Sequence, residues 1–183
     1  MSIKTYNAPT TDYSIIYYGS YGVNKIKSLF TYSFGGKFEA NEIIKDIYLG
    51  NIDSCYDYDE LKKLKITHII SVIEGFEPPY PDKFNYFVIN ALDTLNTELK
   101  DCFELTNKFI DDALNNNGKV LIHCMAGRSR SATILGAYLI KNFGVDVKNA
   151  IASIKVRREI IEPNENFVNQ LDNYYKELYK EYL

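Results

Sequence analysis

The feature that most constrains this chain is a nine-residue stretch held between two apolar runs. It reads His123-Cys124-Met125-Ala126-Gly127-Arg128-Ser129-Arg130-Ser131. Before it stands Lys119-Val120-Leu121-Ile122, which has the composition of a buried strand. After it stands Ala132-Thr133-Ile134-Leu135-Gly136-Ala137-Tyr138-Leu139-Ile140, which has that of a buried helix. A strand, a tight loop and a helix in that order aim consecutive N–H groups and a helix N-terminus at one point, where an anion is stabilised. The same field favours a thiolate, so one loop can hold a phosphate dianion and activate the sulfur that attacks it.

A chain of 183 residues with 46% apolar content is long enough for one domain with a real core. Its 21 basic and 24 acidic residues leave a net charge of −3, which argues against a nucleic-acid or polybasic membrane binder. Anion binding is therefore expected to be local. The three cysteines, Cys55, Cys102 and Cys124, are far apart, odd in number and in no metal-ligand spacing. A reducing compartment fits them better than a disulfide scaffold or a structural zinc. The N-terminus shows no apolar signal core, and Ser2 stands where myristoylation needs a glycine. No apolar run is long enough to insert in a bilayer. A soluble protein of the cytoplasm is expected, with the nucleus also open; no feature specifies an oligomer.

Residues 1 to about 38 differ in texture from the rest. Six of the sixteen tyrosines fall there, and the stretch ends at Gly35-Gly36. It reads as an N-terminal extension, either packed on the domain or partly disordered, with a docking or regulatory arm as the sharper alternative. From residue 39 to 183 the pattern is that of a single domain. Glu42-Ile43-Ile44 and Ile47 to Gly50 read as short strands, Tyr58 to Lys65 as a short helix, and Thr67 to Ile73 and Tyr86 to Ile89 as strands. A helix is expected from Thr97 to Asn115, stopped by Asn116-Asn117-Gly118. Another is expected around Val147 to Ile154, and a last one capped by Asn164. Strands interleaved with helices imply an α/β fold: a central, mostly parallel sheet of about five strands flanked by helices. The phosphate loop would leave the carboxyl end of a central strand.

Cys124 is the candidate nucleophile and would form a phosphocysteine intermediate. Arg130 offers a planar fork for two phosphate oxygens and for the charge that spreads in the transition state. His123, Met125, Ala126, Gly127, Arg128 and Ser129 complete the substrate-binding loop, with His123 expected to hydrogen-bond within it. The leaving oxygen needs a proton from another loop. Asp93, directly after the strand that ends near Ala91, is the best-placed candidate; Asp101, Asp111 and Asp112 lie within the expected helix. Ser131 can stabilise the departing thiolate when water hydrolyses the intermediate. These steps call for no cofactor and no metal. Each residue also has a plainer reading: a cysteine is often a small core hydrophobe, and an aspartate after a strand is often a turn or cap residue. The combination of Cys124, Gly127 and Arg130 favours chemistry. His68, Cys55 and Cys102 read as structural, although either spare thiol could pair with an oxidised Cys124.

These segments resemble the dual-specificity protein phosphatases of the cysteine-dependent tyrosine phosphatase superfamily, from about Glu42 to Leu178. The resemblance rests on His123-Cys124 through Arg130-Ser131-Ala132-Thr133, on Asp93 standing 31 residues before the cysteine, on Ile47-Tyr48-Leu49-Gly50-Asn51, on Leu64 through Val72, and on Pro163-Asn164 with Phe167, Gln170 and Leu171. It implies hydrolysis of phosphotyrosine and phosphoserine or phosphothreonine in phosphoprotein substrates, in a shallow pocket, as in the small atypical members. Arg158 resembles a position that can contact a second phosphate, and Arg157-Arg158 equally reads as a solvated helix end. Arg128 departs from the apolar residue of many relatives and resembles the loop of a lipid-phosphate phosphatase. Met125 stands where such enzymes carry a lysine. The alternatives to a protein phosphatase are a phosphatase of a non-protein substrate such as a phosphoinositide, and a phosphoprotein-binding module with little turnover.

Overall fold

The computed structural model describes residues 1–6 and 37–180. Six strands form one sheet: β1 (Ile3–Tyr6), β2 (Ala40–Ile44), β3 (Ile47–Gly50), β4 (His68–Val72), β5 (Asn85–Ile89) and β6 (Val120–His123), in the order β1-β5-β4-β6-β3-β2. The inner strands β5, β4, β6 and β3 are parallel, whereas β1 and β2 are antiparallel edges. The inner strands are continuous apolar runs such as Ile69-Ile70-Ser71-Val72 and Tyr86-Phe87-Val88-Ile89, all buried, because both faces of the sheet are covered. Consecutive strand residues point to opposite faces. Phe87 accordingly meets Phe109 of the helix α3 (Phe103–Asn115), while Tyr86 meets Tyr6 and Phe84.

The helix α4 (Arg130–Phe143) is the hub. Every residue from Arg130 to Ile140 is buried, and α4 packs against β3, β4 and β6. On its other sides it packs against α3, α5 (Val147–Lys155) and α6 (Glu165–Leu178). It ends at Gly144, whose φ of 64° is the left-handed conformation that closes a helix. Helix starts follow the sequence chemistry closely: Asp146 accepts from Asn149 N at 2.7 Å, and Asn164 accepts from Phe167 N at 3.0 Å.

Three expectations are corrected. The sheet has six strands rather than about five, because Ile3–Tyr6 pairs with β5 at Ile3↔Ile89 through Tyr6↔Tyr86. Four residues are too short a run for a two-residue periodicity to stand out. That strand packs the start of the N-terminal extension on the domain; the readings of residues 7–36 lie outside the described residues. The helix expected from Thr97 begins as a 3₁₀ turn at Lys100–Cys102 and becomes α3 only at Phe103. Gln170 Oε1 accepts from the Leu99 and Lys100 amides at 2.7 and 3.0 Å and so supports the chain before the helix. Finally, Asn51 caps a short helix α1 (Ile52–Tyr56) ahead of the anticipated one, α2 (Tyr58–Lys63).

Candidate active site

The loop between β6 and α4 lies at the carboxyl edge of the parallel strands, and its shape is imposed from outside. The carbonyl of Met125 accepts from Ile52 N at 3.1 Å and that of Arg128 from Glu162 N at 2.9 Å. Between them, Ala126 O accepts from Arg158 Nη2 at 3.2 Å and Gly127 O from Arg158 Nε at 2.9 Å. Ser129 O accepts from Thr133 N inside the new helix. In a planar trans peptide the N–H points opposite to the C=O. Five consecutive carbonyls drawn to the protein therefore leave the amides of residues 126 to 130 directed into the loop, which is an anion nest at a helix N-terminus. Gly127 makes the tight path open to the chain. Its φ is +64°, and a Cβ there would stand 2.4 Å from the Gly50 carbonyl oxygen.

At the base of the nest sits Cys124, 1% exposed, with the Ser131 hydroxyl donating to its sulfur at 3.2 Å. Arg130 is also buried. It gives Nη1 to the Ala91 carbonyl at 3.0 Å, and among the described residues its Nε has no hydrogen-bond partner. A buried guanidinium N–H without an acceptor is costly, and a bound oxyanion is the natural group to satisfy it. Arg130 Nε lies 3.6 Å from Asp93 Oδ2. The other carboxylate oxygen, Asp93 Oδ1, accepts from Ser129 Oγ and from Asn164 Nδ2, each at 2.8 Å. The loop after β5 thus brings Asp93 to the same point as Arg130 and the start of α6.

His123 ends β6 and is fully buried, with Nε2 and Ser71 Oγ at 2.7 Å across to β4. Burial pushes its imidazole down to about 3; the Cys124 backbone opposes this and the Arg130 charge adds to it. The ring is neutral, and its hydrogen bond at Nε2 joins the neighbouring strands β6 and β4. Cys102, also buried, has its thiol pushed up to about 12 mainly by desolvation, and burial raises that of Cys55 further; both are inert core thiols. Among the described residues no three His, Cys, Asp or Glu side chains come together.

Arg158 requires a further correction. Its side chain is 4% exposed, and besides the two loop carbonyls it donates Nη1 to Asn41 Oδ1 at 2.8 Å. It is neither a solvated helix end nor the second-phosphate contact that the resemblance implies, because its donors already hold the loop to β2. The Arg128 side chain, by contrast, leaves the loop outward and pairs with Glu162. Asn164 was legible as a helix cap, but its bond to Asp93 was not, since 71 residues separate them. Ser71 and Glu162 carried no signal at all.

The sequence model of the family described as "Dual specificity phosphatase, catalytic domain" matches residues 47–177. Dual specificity protein phosphatase 1B of Arabidopsis thaliana is 38% identical over 144 residues, spanning 79% of this chain and 86% of that one. The mouse (Mus musculus) serine/threonine/tyrosine-interacting protein is 36% identical over 143 residues, spanning 74% of this chain and 64% of that one. The crystal structure of the human tyrosine phosphatase-like serine/threonine/tyrosine-interacting protein superposes with a TM-score of 0.74 at 34% identity, covering 77% of this chain and 97% of that one. That of DUSP15 does so with a TM-score of 0.71 at 32% identity, covering 79% and 96%. No helix among the described residues is long and apolar enough to cross a membrane. The anion nest, the buried thiol and the matched domain converge: this chain belongs to the dual-specificity phosphatases of the cysteine-dependent tyrosine phosphatase superfamily, as a small atypical member, and is a protein phosphatase.

Proposed function

We propose that the phosphatase reaction runs through Cys124, Arg130, Asp93 and Ser131, on phosphotyrosine and phosphoserine or phosphothreonine side chains. The observation that carries this reading is the set of five outward-held carbonyls from Met125 to Ser129, which turns the amides inward over the Cys124 sulfur. A phosphate dianion seated there accepts from those amides and from the free donors of Arg130, and its phosphorus faces the sulfur. Cys124 attacks, the P–O bond to the leaving group breaks, and Asp93 gives that oxygen its proton. Asp93, now a carboxylate, then takes a proton from the water that attacks the phosphocysteine. Phosphorus–sulfur cleavage returns the electron pair to Cys124, where the Ser131 hydroxyl stabilises it. Cys124→Ser and Arg130→Ala each abolish hydrolysis of an aryl phosphate in this account; turnover retained by either variant overturns it.

A further inference from the structure

Three arginines converge on the loop, and they are not equivalent. Arg130 and Arg158 are buried, with side chains 10% and 4% exposed. The Arg128 side chain is 52% exposed, and its partner Glu162 is 72% exposed. The root of Arg128 is nonetheless fixed, because its carbonyl is held by Glu162 N while its own amide points into the nest. The guanidinium therefore projects from the wall of the phosphate site itself. Glu162 stands two residues before Asn164, the residue that bonds Asp93, so the pair is tied to the segment that leads into α6. Across the loop, Met125 adds no charge.

An exposed ion pair of this kind is weak and screened by salt. An arginine fork gains more from a phosphate or a second carboxylate delivered with a bound substrate. We propose that Arg128 is a specificity-determining residue that binds a second anionic group of the phosphoprotein substrate, a phosphate or carboxylate on a residue beside the phosphorylated one. Glu162 occupies the fork until the substrate replaces it. The proposal rests on the phosphatase reading above and names the substrate class that Arg128 selects. One exposed guanidinium suits one extra anion, which favours a peptide over a multiply phosphorylated lipid headgroup.

The test uses the full chain and three phosphotyrosine peptides that differ only in the adjacent residue: alanine, glutamate or phosphothreonine. In the wild type kcat/KM rises in that order, by about tenfold from first to last, with the change in KM and reduced by added salt. Arg128→Ala collapses the ratio toward one, Arg128→Lys keeps part of it, and Glu162→Gln enlarges it. Each ratio is taken on a single preparation, so a general loss of activity cancels. An unchanged ratio in Arg128→Ala overturns the proposal, as does a wild type indifferent to the neighbour. A soluble inositol polyphosphate that shows Arg128-dependent KM while the peptides show none also overturns it, in favour of a lipid headgroup. A wild type that hydrolyses neither the peptides nor an aryl phosphate defeats the underlying phosphatase reading instead.

Discussion

Asn164 joins two functions in one amide. Its Oδ1 caps α6 and its Nδ2 holds Asp93 Oδ1, so the position of Asp93, the proposed proton donor, depends on where that helix begins. Asn164→Asp separates the two. The new carboxylate still caps the helix, but it presents an oxygen to Asp93 where an N–H stood, so Asp93 loses the donor that fixes its position. The expected result is a fall in kcat of about 10- to 100-fold for poor leaving groups and less for good ones, since only the former need the proton. The thermal midpoint should stay near that of the wild type. Equal losses for good and poor leaving groups would remove Asp93 from proton transfer. Cys124, Arg130 and Asp93 could be picked out as candidates because residue type and local spacing single them out. Ser71, Glu162 and the true part played by Arg158 were not. Their contacts join positions 31 to 117 residues apart, and nothing in one segment announces its partner in another.

The phosphate loop works as an element only because three others hold its outer side. Helix α1 supplies the Ile52 amide, the segment before α6 supplies the Glu162 amide, and Arg158, just beyond α5, clamps the middle. The strands and most helices could be read from apolar runs and caps, because two-sided burial and capping chemistry leave a local trace. The clamp could not be read this way, for Arg158 has the look of a surface residue. Gly127→Ala tests the element directly. A methyl group at φ +64°, 2.4 Å from the Gly50 oxygen, forces the loop off the end of β3. The expected loss in kcat/KM for an aryl phosphate is at least about 100-fold, since misdirected amides no longer meet the transition state. A variant that keeps wild-type turnover would mean that the loop path does not matter.

At the scale of the molecule, the sheet places every part of the site at one edge: β6 ends at His123, β5 leads to Asp93, and β3 ends against the loop. Such a core is sensitive to acid through its two histidines. Burial holds His68 down to about 4 and His123 to about 3, whereas in the unfolded chain both take up protons below about 6.5. Stability is therefore complete above pH 6.5 and is lost as the pH falls toward those lower values, because the unfolded state binds the protons first. Between pH 7 and pH 5 the unfolding free energy should drop by about 2 kcal/mol from His123, with His68 acting in the same direction. Denaturant melts at the two pH values measure this, and a flat response would show that neither imidazole is held neutral by the fold. The most direct measurement of all is rapid quenching of the Asp93→Asn variant during turnover of an aryl phosphate, with mass analysis of its peptides. Slowed attack of water should leave one phosphoryl group on the sulfur of Cys124; a phosphoryl group on any other residue, or none on Cys124 while product forms, would contradict the account.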